Sequence, residues 1–175
     1  MHNNKLETLT VDGIYIYLRK SRSDDPSLTV EEVLEKHEAR LQEWAMNNFG
    51  AKIPEENIMR EVVSGETIDD RPEMIRLLAM IESPKVRAIA IREPQRLSRG
   101  DLMDAGRIIR LFRFSNTLIC TPEETFDLRD ERDREIFERE LKRGNEFLEY
   151  QKKIMNRGRE QSVKSGNFIG SIAPF

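Results

Sequence analysis

The chain has 175 residues, of which 38% are hydrophobic and 35% are charged, and its mean hydropathy is -0.63. This length accommodates one core with an appendage, and the apolar content argues against a fully disordered tail or a fibre. A net charge of -3 and a pI near 5.6 argue against purely electrostatic binding of nucleic acid, so any DNA contact must depend on local basic clusters.

The composition limits the cellular compartment of the protein and the metals or cofactors that it can bind. No apolar run reaches membrane-spanning length, and the N-terminus has neither the basic start nor the apolar core of a secretory signal, so we expect a cytoplasmic protein. The single cysteine, Cys120, lies in an apolar run and is predicted to be a core residue. With only His2 and His37 and no cysteine cluster, we expect no metal and no cofactor.

The first predicted elements are a strand over residues 13–19 and a helix that begins near Thr29. The strand is rich in Ile and Tyr, and the turn residues "DDPS" at 24–27 follow it. Thr29 and Glu32 have the spacing of a capping box. The helix should run to about Gly50 with an apolar stripe of Val33, Leu34, Leu41, Trp44 and Ala45.

Strands and helices continue to alternate along the chain. Residues 57–65 and 86–91 are predicted strands, and 116–120 is a further one. A second helix begins at Pro72, a third covers about 101–114, and the second has the apolar residues Met74, Leu77, Leu78 and Ile81. The alternation predicts an α/β fold, with a mostly parallel sheet flanked by helices in flavodoxin-like layering.

The character of the sequence changes near residue 127. Residues 127–166 lack proline and place Phe137, Leu141, Leu148 and Met155 four and seven residues apart, which predicts a long helix that pairs two copies as a dimer. We therefore divide the chain into an α/β domain over 1–126, with 1–12 flexible, an oligomerisation helix over 127–166, and a linker over 167–175. Five basic residues against one acidic residue in 152–164 suit a phosphate backbone, although a solvated helix face explains that segment better by itself.

Serine and arginine recur together after three of the predicted strands. The pairs are Arg19 with Ser21, Ser64 with Arg71, and Ser98 with Arg96 and Arg99. Each of these groups alone is explained by a structural role. Their common position changes this interpretation, because the carboxyl ends of parallel strands share one edge of the sheet. Because arginine binds phosphate oxygens bidentately and stabilises developing negative charge, the combination favours a serine nucleophile that attacks a phosphodiester.

Four segments carry a resemblance to a known family. They are "YLRKS", "VVSGETIDDRPEM", "QRLSRGDLMD" and "GREQSVKSGNFIGSIAPF", in that order along the chain. In this combination the sequence resembles the catalytic, resolvase/invertase-type domain of serine site-specific recombinases over about residues 13–175. The resemblance is closest to the branch of large serine integrases and transposon recombinases.

The resemblance implies a metal-free and ATP-independent reaction on double-stranded DNA. A serine attacks a phosphodiester, leaves a 5′-phosphoserine link and a free 3′-hydroxyl, and religates after strand exchange in a tetramer. By motif, the residues are the nucleophile Ser21, the supporting Ser64 and the arginines Arg19, Arg71, Arg96 and Arg99. It further implies a protein encoded by a bacterium, phage or mobile element, with DNA-binding domains beyond the 167–175 linker.

One departure from the family pattern supports an alternative. The family usually has an acidic residue immediately before the first arginine of "RLSR", whereas this chain has Gln95, preceded by Pro94. Because Gln95 cannot form a salt bridge with Arg96, the alternatives are reduced or differently regulated catalysis and a non-catalytic dimerisation or regulatory module. The nucleophile and four arginines remain, so we expect an active recombinase. A small-molecule phosphotransferase ranks last, because the chain has no glycine-rich phosphate loop. The general base for Ser21 stays unassigned.

Overall fold

The computed structural model describes residues 5–20, 24–62, 68–98 and 102–143, together with 154, 156 and 157. Its strands are β1 (Ile14–Arg19), β2 (Ile58–Glu61), β3 (Ala88–Ala90), β4 (Leu118–Cys120) and β5 (Thr125–Phe126). Its helices are α1 (Val30–Phe49), α2 (Pro72–Met80) and α3 (Leu102–Ser115), and residues 131–143 are also helical. Among the described helices, none combines the length and the apolar character needed to cross a bilayer.

The five strands form one sheet in the order β2-β1-β3-β4-β5. β1 pairs in parallel with both β2 and β3, and β3 pairs in parallel with β4. The predicted mostly parallel α/β fold is therefore confirmed. β5, which runs antiparallel to β4, was not predicted, because two residues are too short for a periodic pattern.

α1 begins and ends where the sequence predicts. The Thr29 hydroxyl accepts a hydrogen bond from the Glu32 amide at 3.2 Å, and the Glu32 carboxylate accepts one from the Thr29 amide at 2.8 Å. The helix ends at Gly50, whose φ of 69° lies in the left-handed region that glycine adopts without a steric penalty. The capping box and the glycine cap therefore determine the length of this helix.

Two apolar layers cover the two faces of the sheet. On one face, Ile14, Ile16, Leu18, Ala88 and Ala90 pack with Leu34, Leu41, Trp44 and Ala45 of α1. On the other face, Tyr17, Ile89 and Ile119 pack with Met74, Leu77, Ile108, Phe112 and Phe137. Because side chains alternate along a strand, the even and odd positions of β1 enter different layers, and Arg19 falls on the same side as Tyr17. Cys120 is buried, as predicted, and burial raises the pKa of its thiol to about 12.

The C-terminal helical segment, residues 131–143, is part of the second layer. Phe137 is fully buried with its ring 5.4 Å from that of Phe126, and Leu141 is also buried. The other two residues of the predicted stripe, Leu148 and Met155, lie outside the described residues, as do most of 144–166 and all of 167–175. The long helix and the domain boundary at 126/127 thus stay predictions.

The segment before β1 packs against the rest of the protein. Leu9 is buried in the α1 layer, and the Lys5 ammonium pairs with the Asp133 carboxylate in the C-terminal helical segment. Residues 1–12 were predicted to be flexible. Of these the structure describes residues 5–12, in which Leu9 is buried among apolar neighbours.

Candidate active site

The candidate site lies at the carboxyl ends of β1 and β3. From β1 the chain crosses to β2 on one side, and after β2 it returns to β3 on the other side of β1. In a doubly wound sheet of this order, the connections leave a crevice beyond these two strand ends, which is where ligands bind. Arg19 is the last residue of β1, and residues 92–98 form the loop that follows β3.

Arg19 holds the loop that follows β3. Its side chain is buried, with 2% exposed. The guanidinium donates from Nε to the Arg96 carbonyl at 2.9 Å and from Nη2 to the Gln95 carbonyl at 2.6 Å. The end of one central strand is therefore bonded directly to the loop that leaves the neighbouring strand.

Arg71 approaches the same loop from a second element. It is the N-cap residue of α2, is fully buried, and donates from Nη1 to the Leu97 carbonyl at 3.0 Å. Pro72, which lacks an amide hydrogen, begins the helix, and this fixes where Arg71 stands. Arg19 and Arg71 thus bind the carbonyls of three successive residues, 95 to 97, and bring two guanidinium charges together at the loop.

Burying arginine is costly unless its charge is compensated. Glu61, at the end of β2, provides a nearby carboxylate and accepts hydrogen bonds from the amides of Glu73 and Met74 at 3.1 and 3.2 Å. Burial raises the pKa of Glu61, whereas these amides and Arg71 lower it. Glu61 therefore caps α2 and opposes the charge of the arginine that precedes the helix.

Tyr17 lies beneath the arginines on β1. Its side chain is fully buried, and burial raises the pKa of its phenol far above the usual value despite the opposing effect of Arg19. The phenol is consequently neutral at physiological pH. The neutral phenol of Tyr17 lies near Arg19 and Arg71 and adds no charge to the site.

Arg96 has carboxylate partners, which the sequence analysis did not expect. Its Nη1 and Nη2 atoms donate to the two Asp24 carboxylate oxygens at 2.6 and 2.9 Å. Nη2 also lies 2.5 Å from a carboxylate oxygen of Glu93. Gln95 cannot pair with Arg96, but Asp24 and Glu93 supply carboxylate partners from other positions.

Gln95 itself makes a different contact. Its side-chain amide donates to the Glu140 carbonyl at 3.0 Å, in the C-terminal helical segment. The residue that replaces the usual acidic neighbour therefore connects the loop to that helical segment and leaves the orientation of Arg96 to other residues.

His37, on α1, completes the surroundings of Asp24. Its Nε2 atom lies 3.3 Å from the Asp24 carboxylate. Burial lowers the pKa of His37, nearby Arg96 lowers it further, and Asp24 acts in the opposite sense. A neutral imidazole that donates from Nε2 to Asp24 fits this geometry.

The structure brings together three of the six predicted site residues. Arg19 and Arg71 donate to the 95–97 backbone, which includes Arg96, while Ser21, Ser64 and Arg99 lie outside the described residues. Asp24, Glu93 and His37 were missed as members of the site. The acidic pair after "RKSRS" was a usable signal, but it was interpreted only as a turn.

Chemically, the described site combines three buried guanidinium groups with carboxylates from three different elements. Guanidinium groups held in place by backbone carbonyls stabilise an oxyanion without reorganising when charge develops. The fold and the site together define a class of protein. It is a doubly wound α/β domain with an arginine cluster at the carboxyl edge of its central strands.

Comparison with known proteins gives the family. The family model described as "Resolvase, N terminal domain" matches residues 14–167, which is most of the chain. The chain belongs to this family of serine recombinase catalytic domains, and membership implies a recombinase enzyme that acts in site-specific recombination.

Two crystal structures are similar to this chain. The N-terminal catalytic domain of TP901-1 integrase is 19% identical, with a TM-score of 0.56 over 79% of this chain and 98% of that one. The C-terminal catalytic domain of ISC1926 TnpA, an IS607-like serine recombinase, is 24% identical, with a TM-score of 0.48 over 62% of this chain and 66% of that one. The likeness to TP901-1 integrase shows a shared fold.

Proposed function

We propose that this chain is the catalytic domain of a serine recombinase in which Ser21 is the nucleophile. Arg19 ends β1, so Ser21 stands two residues beyond the strand end at which the arginines converge. The observation that carries the proposal is the convergence of Arg19 and Arg71 on the loop of Arg96, next to this segment.

In the proposed reaction, the Ser21 hydroxyl oxygen forms a bond to the phosphorus of a DNA phosphodiester. The bond between phosphorus and the 3′ oxygen breaks, the 3′ oxygen takes up a proton, and the Ser21 proton passes to a base that we leave unassigned. The 5′ phosphate remains attached to Ser21. After strand exchange, a 3′-hydroxyl attacks this phosphoserine and restores the serine.

In this proposal, the arginines stabilise the negative charge of the reacting phosphate. Phosphoryl transfer places negative charge on the phosphate oxygens and on the leaving 3′ oxygen, and positioned guanidinium groups stabilise both. Arg19, Arg71, Arg96 and Arg99 would share this work, with Ser64 as a supporting hydroxyl. The residues proposed for the reaction include no metal ligand, so we propose that the reaction proceeds without a metal ion.

The test is covalent trapping on DNA. The protein, in the full length in which it is naturally expressed, is incubated in EDTA with a DNA site that carries a nick to prevent religation. Products are separated under denaturing conditions and the attached peptide is mapped. We expect an adduct at a DNA 5′ end that Ser21→Ala abolishes and that the neighbouring control Ser23→Ala retains.

The alternative, a non-catalytic dimerisation module, has one observation in its favour. Arg96 is bonded to carboxylates in the described structure, as it would be in a purely structural role. Failure to form an adduct on DNA that the protein demonstrably binds would support this alternative, and an adduct that survives Ser21→Ala would assign the nucleophile elsewhere.

A further inference from the structure

The terminal N–H donors of Arg96 are all committed within the protein. Nη1 donates to Asp24 and to the Arg19 carbonyl, the latter at 3.2 Å, and Nη2 is shared by Asp24 and Glu93. Nε is buried and has no hydrogen-bond partner among the described residues. Arg96 therefore presents no terminal N–H to an incoming ligand in this arrangement.

The Asp24 contact has the geometry of a bound phosphate. Both carboxylate oxygens accept from the two terminal nitrogens of Arg96, which is the bidentate arrangement that guanidinium groups also form with two phosphate oxygens. A phosphate cannot take this position while Asp24 holds it. Asp24 and a phosphate ligand are thus mutually exclusive at these two nitrogens.

Of the two carboxylates that contact Arg96, Asp24 is the one whose loss would change the contacts between separate segments of the site. Glu93 is three residues from Arg96 in the same loop, and its side chain is 38% exposed, so solvent screens its charge. Asp24 is 11% exposed and joins the segment after β1 to the loop after β3, across 72 residues of sequence. Losing the Asp24 contact would remove this ion pair between the two segments.

We propose that Asp24 is an internal competitor for phosphate, which occupies Arg96 in the DNA-free protein and is displaced when a phosphodiester binds. This inference depends on the proposed function, because it concerns the regulation of that site. Asp24 is three residues after the proposed nucleophile Ser21 in the sequence, so the proposed competition takes place close to it along the chain.

The test measures phosphate binding directly, without DNA cleavage. The 175-residue chain, labelled with ¹⁵N at arginine, is titrated with dimethyl phosphate, a phosphodiester monoanion, at constant ionic strength. The Nε–H signal of Arg96 is identified by its loss in Arg96→Lys. We expect Asp24→Asn to bind about tenfold more tightly than the unmodified chain, and Asp24→Asn with Arg96→Lys to lose that gain.

Asp25→Asn is the matched control. It removes the same charge from the adjacent residue, whose carboxylate is exposed and accepts hydrogen bonds from Ser27. We expect it to bind dimethyl phosphate as the unmodified chain does. Equal affinities of the two variants, weaker binding by Asp24→Asn, or no binding by any of the proteins would overturn the proposal.

A second measurement covers the case in which Asp24→Asn does not fold. In the unmodified chain, dimethyl phosphate should shift the imidazole signals of His37, which loses Asp24 as its partner, whereas chloride at equal ionic strength should not. An unchanged His37 at concentrations that shift the Arg96 signal overturns the proposal. Tighter binding by Asp24→Asn without a Ser21 adduct in the trapping experiment would count against the proposed function alone.

Discussion

The three described arginines of the site differ in what they bind. Arg19 and Arg71 donate to backbone carbonyls, which are neutral and fixed by the fold, whereas Arg96 is bonded mainly to carboxylates. A guanidinium group that donates to carbonyls is not neutralised by them. One bound to carboxylates is neutralised until an anion competes, and this difference is why we expect Arg96 to be the regulated member of the cluster.

At the same scale, the neutral state of His37 predicts a pH dependence of stability. Its pKa is below the usual value of about 6.5, because burial and Arg96 disfavour the charged form. The unfolded chain therefore binds the proton more readily. The stabilisation that neutral His37 provides is complete above the unfolded pKa and is lost as the pH falls through the folded pKa.

We expect the free energy of unfolding of the unmodified chain, relative to that of His37→Gln, to increase from pH 5 to pH 7.5 in urea titrations. Glu61, whose pKa is raised, contributes a slope of opposite sign, but it cancels because both proteins contain it. A difference that stays constant with pH would show that His37 is not held neutral by its surroundings.

At the scale of elements, the site depends on how each helix begins. α2 is capped by Glu61 of β2 rather than by its own N-cap residue, which leaves the Arg71 side chain to bind the Leu97 carbonyl. α1 has a reciprocal capping box, and it carries His37 to Asp24. In both helices, hydrogen bonds to the backbone amides of the first turn fix where the helix begins. The start of the helix in turn determines the position of its site residue, Arg71 or His37.

Thr29→Ala should lower the free energy of unfolding by about 1 kcal/mol, because it leaves the Glu32 amide without its side-chain acceptor. Thr29→Ser, which keeps the hydroxyl, should cost much less, and the two variants are compared by urea unfolding at pH 7. Equal losses for Ala and Ser would attribute the effect to the Thr29 methyl group and not to the cap.

At the scale of the whole molecule, the apolar stripe of the C-terminal segment has one described role and one predicted role. Phe137 and Leu141 complete the layer of α2 and α3 within the same chain. Leu148 and Met155 are left to the predicted partner contact. The apolar spacing, which continues unchanged from 137 to 155, does not distinguish a residue that packs inside the chain from one that packs against a second copy.

Phe137→Ala should therefore reduce the free energy of unfolding by about 3–5 kcal/mol at every protein concentration, because it opens a cavity beside Phe126. Leu148→Ala should have an effect that grows with protein concentration, since it weakens association of two chains. The two variants are compared by thermal unfolding over a hundredfold range of protein concentration. Sedimentation of the same samples reports whether two chains associate. A concentration-independent effect of Leu148→Ala would contradict the predicted dimer contact.

Sequence alone determined most of the elements and the mostly parallel character of the sheet, because periodicity, caps and turns are local signals. The bounds of α1 follow from Thr29, Glu32 and Gly50, and the alternation of strands with helices predicted the parallel sheet. It also predicted that Arg19, Arg71 and Arg96 would meet, since the carboxyl ends of parallel strands share an edge.

Only the tertiary structure decided how those arginines are paired. Asp24 and Arg96 are 72 residues apart, and Glu61 caps a helix whose first residue is eleven positions later, so no local pattern connects either pair. Ion pairs and hydrogen bonds of this kind depend on distances of a few ångströms between separate elements. Residue type sets which partners are possible, and packing of the two layers selects among them.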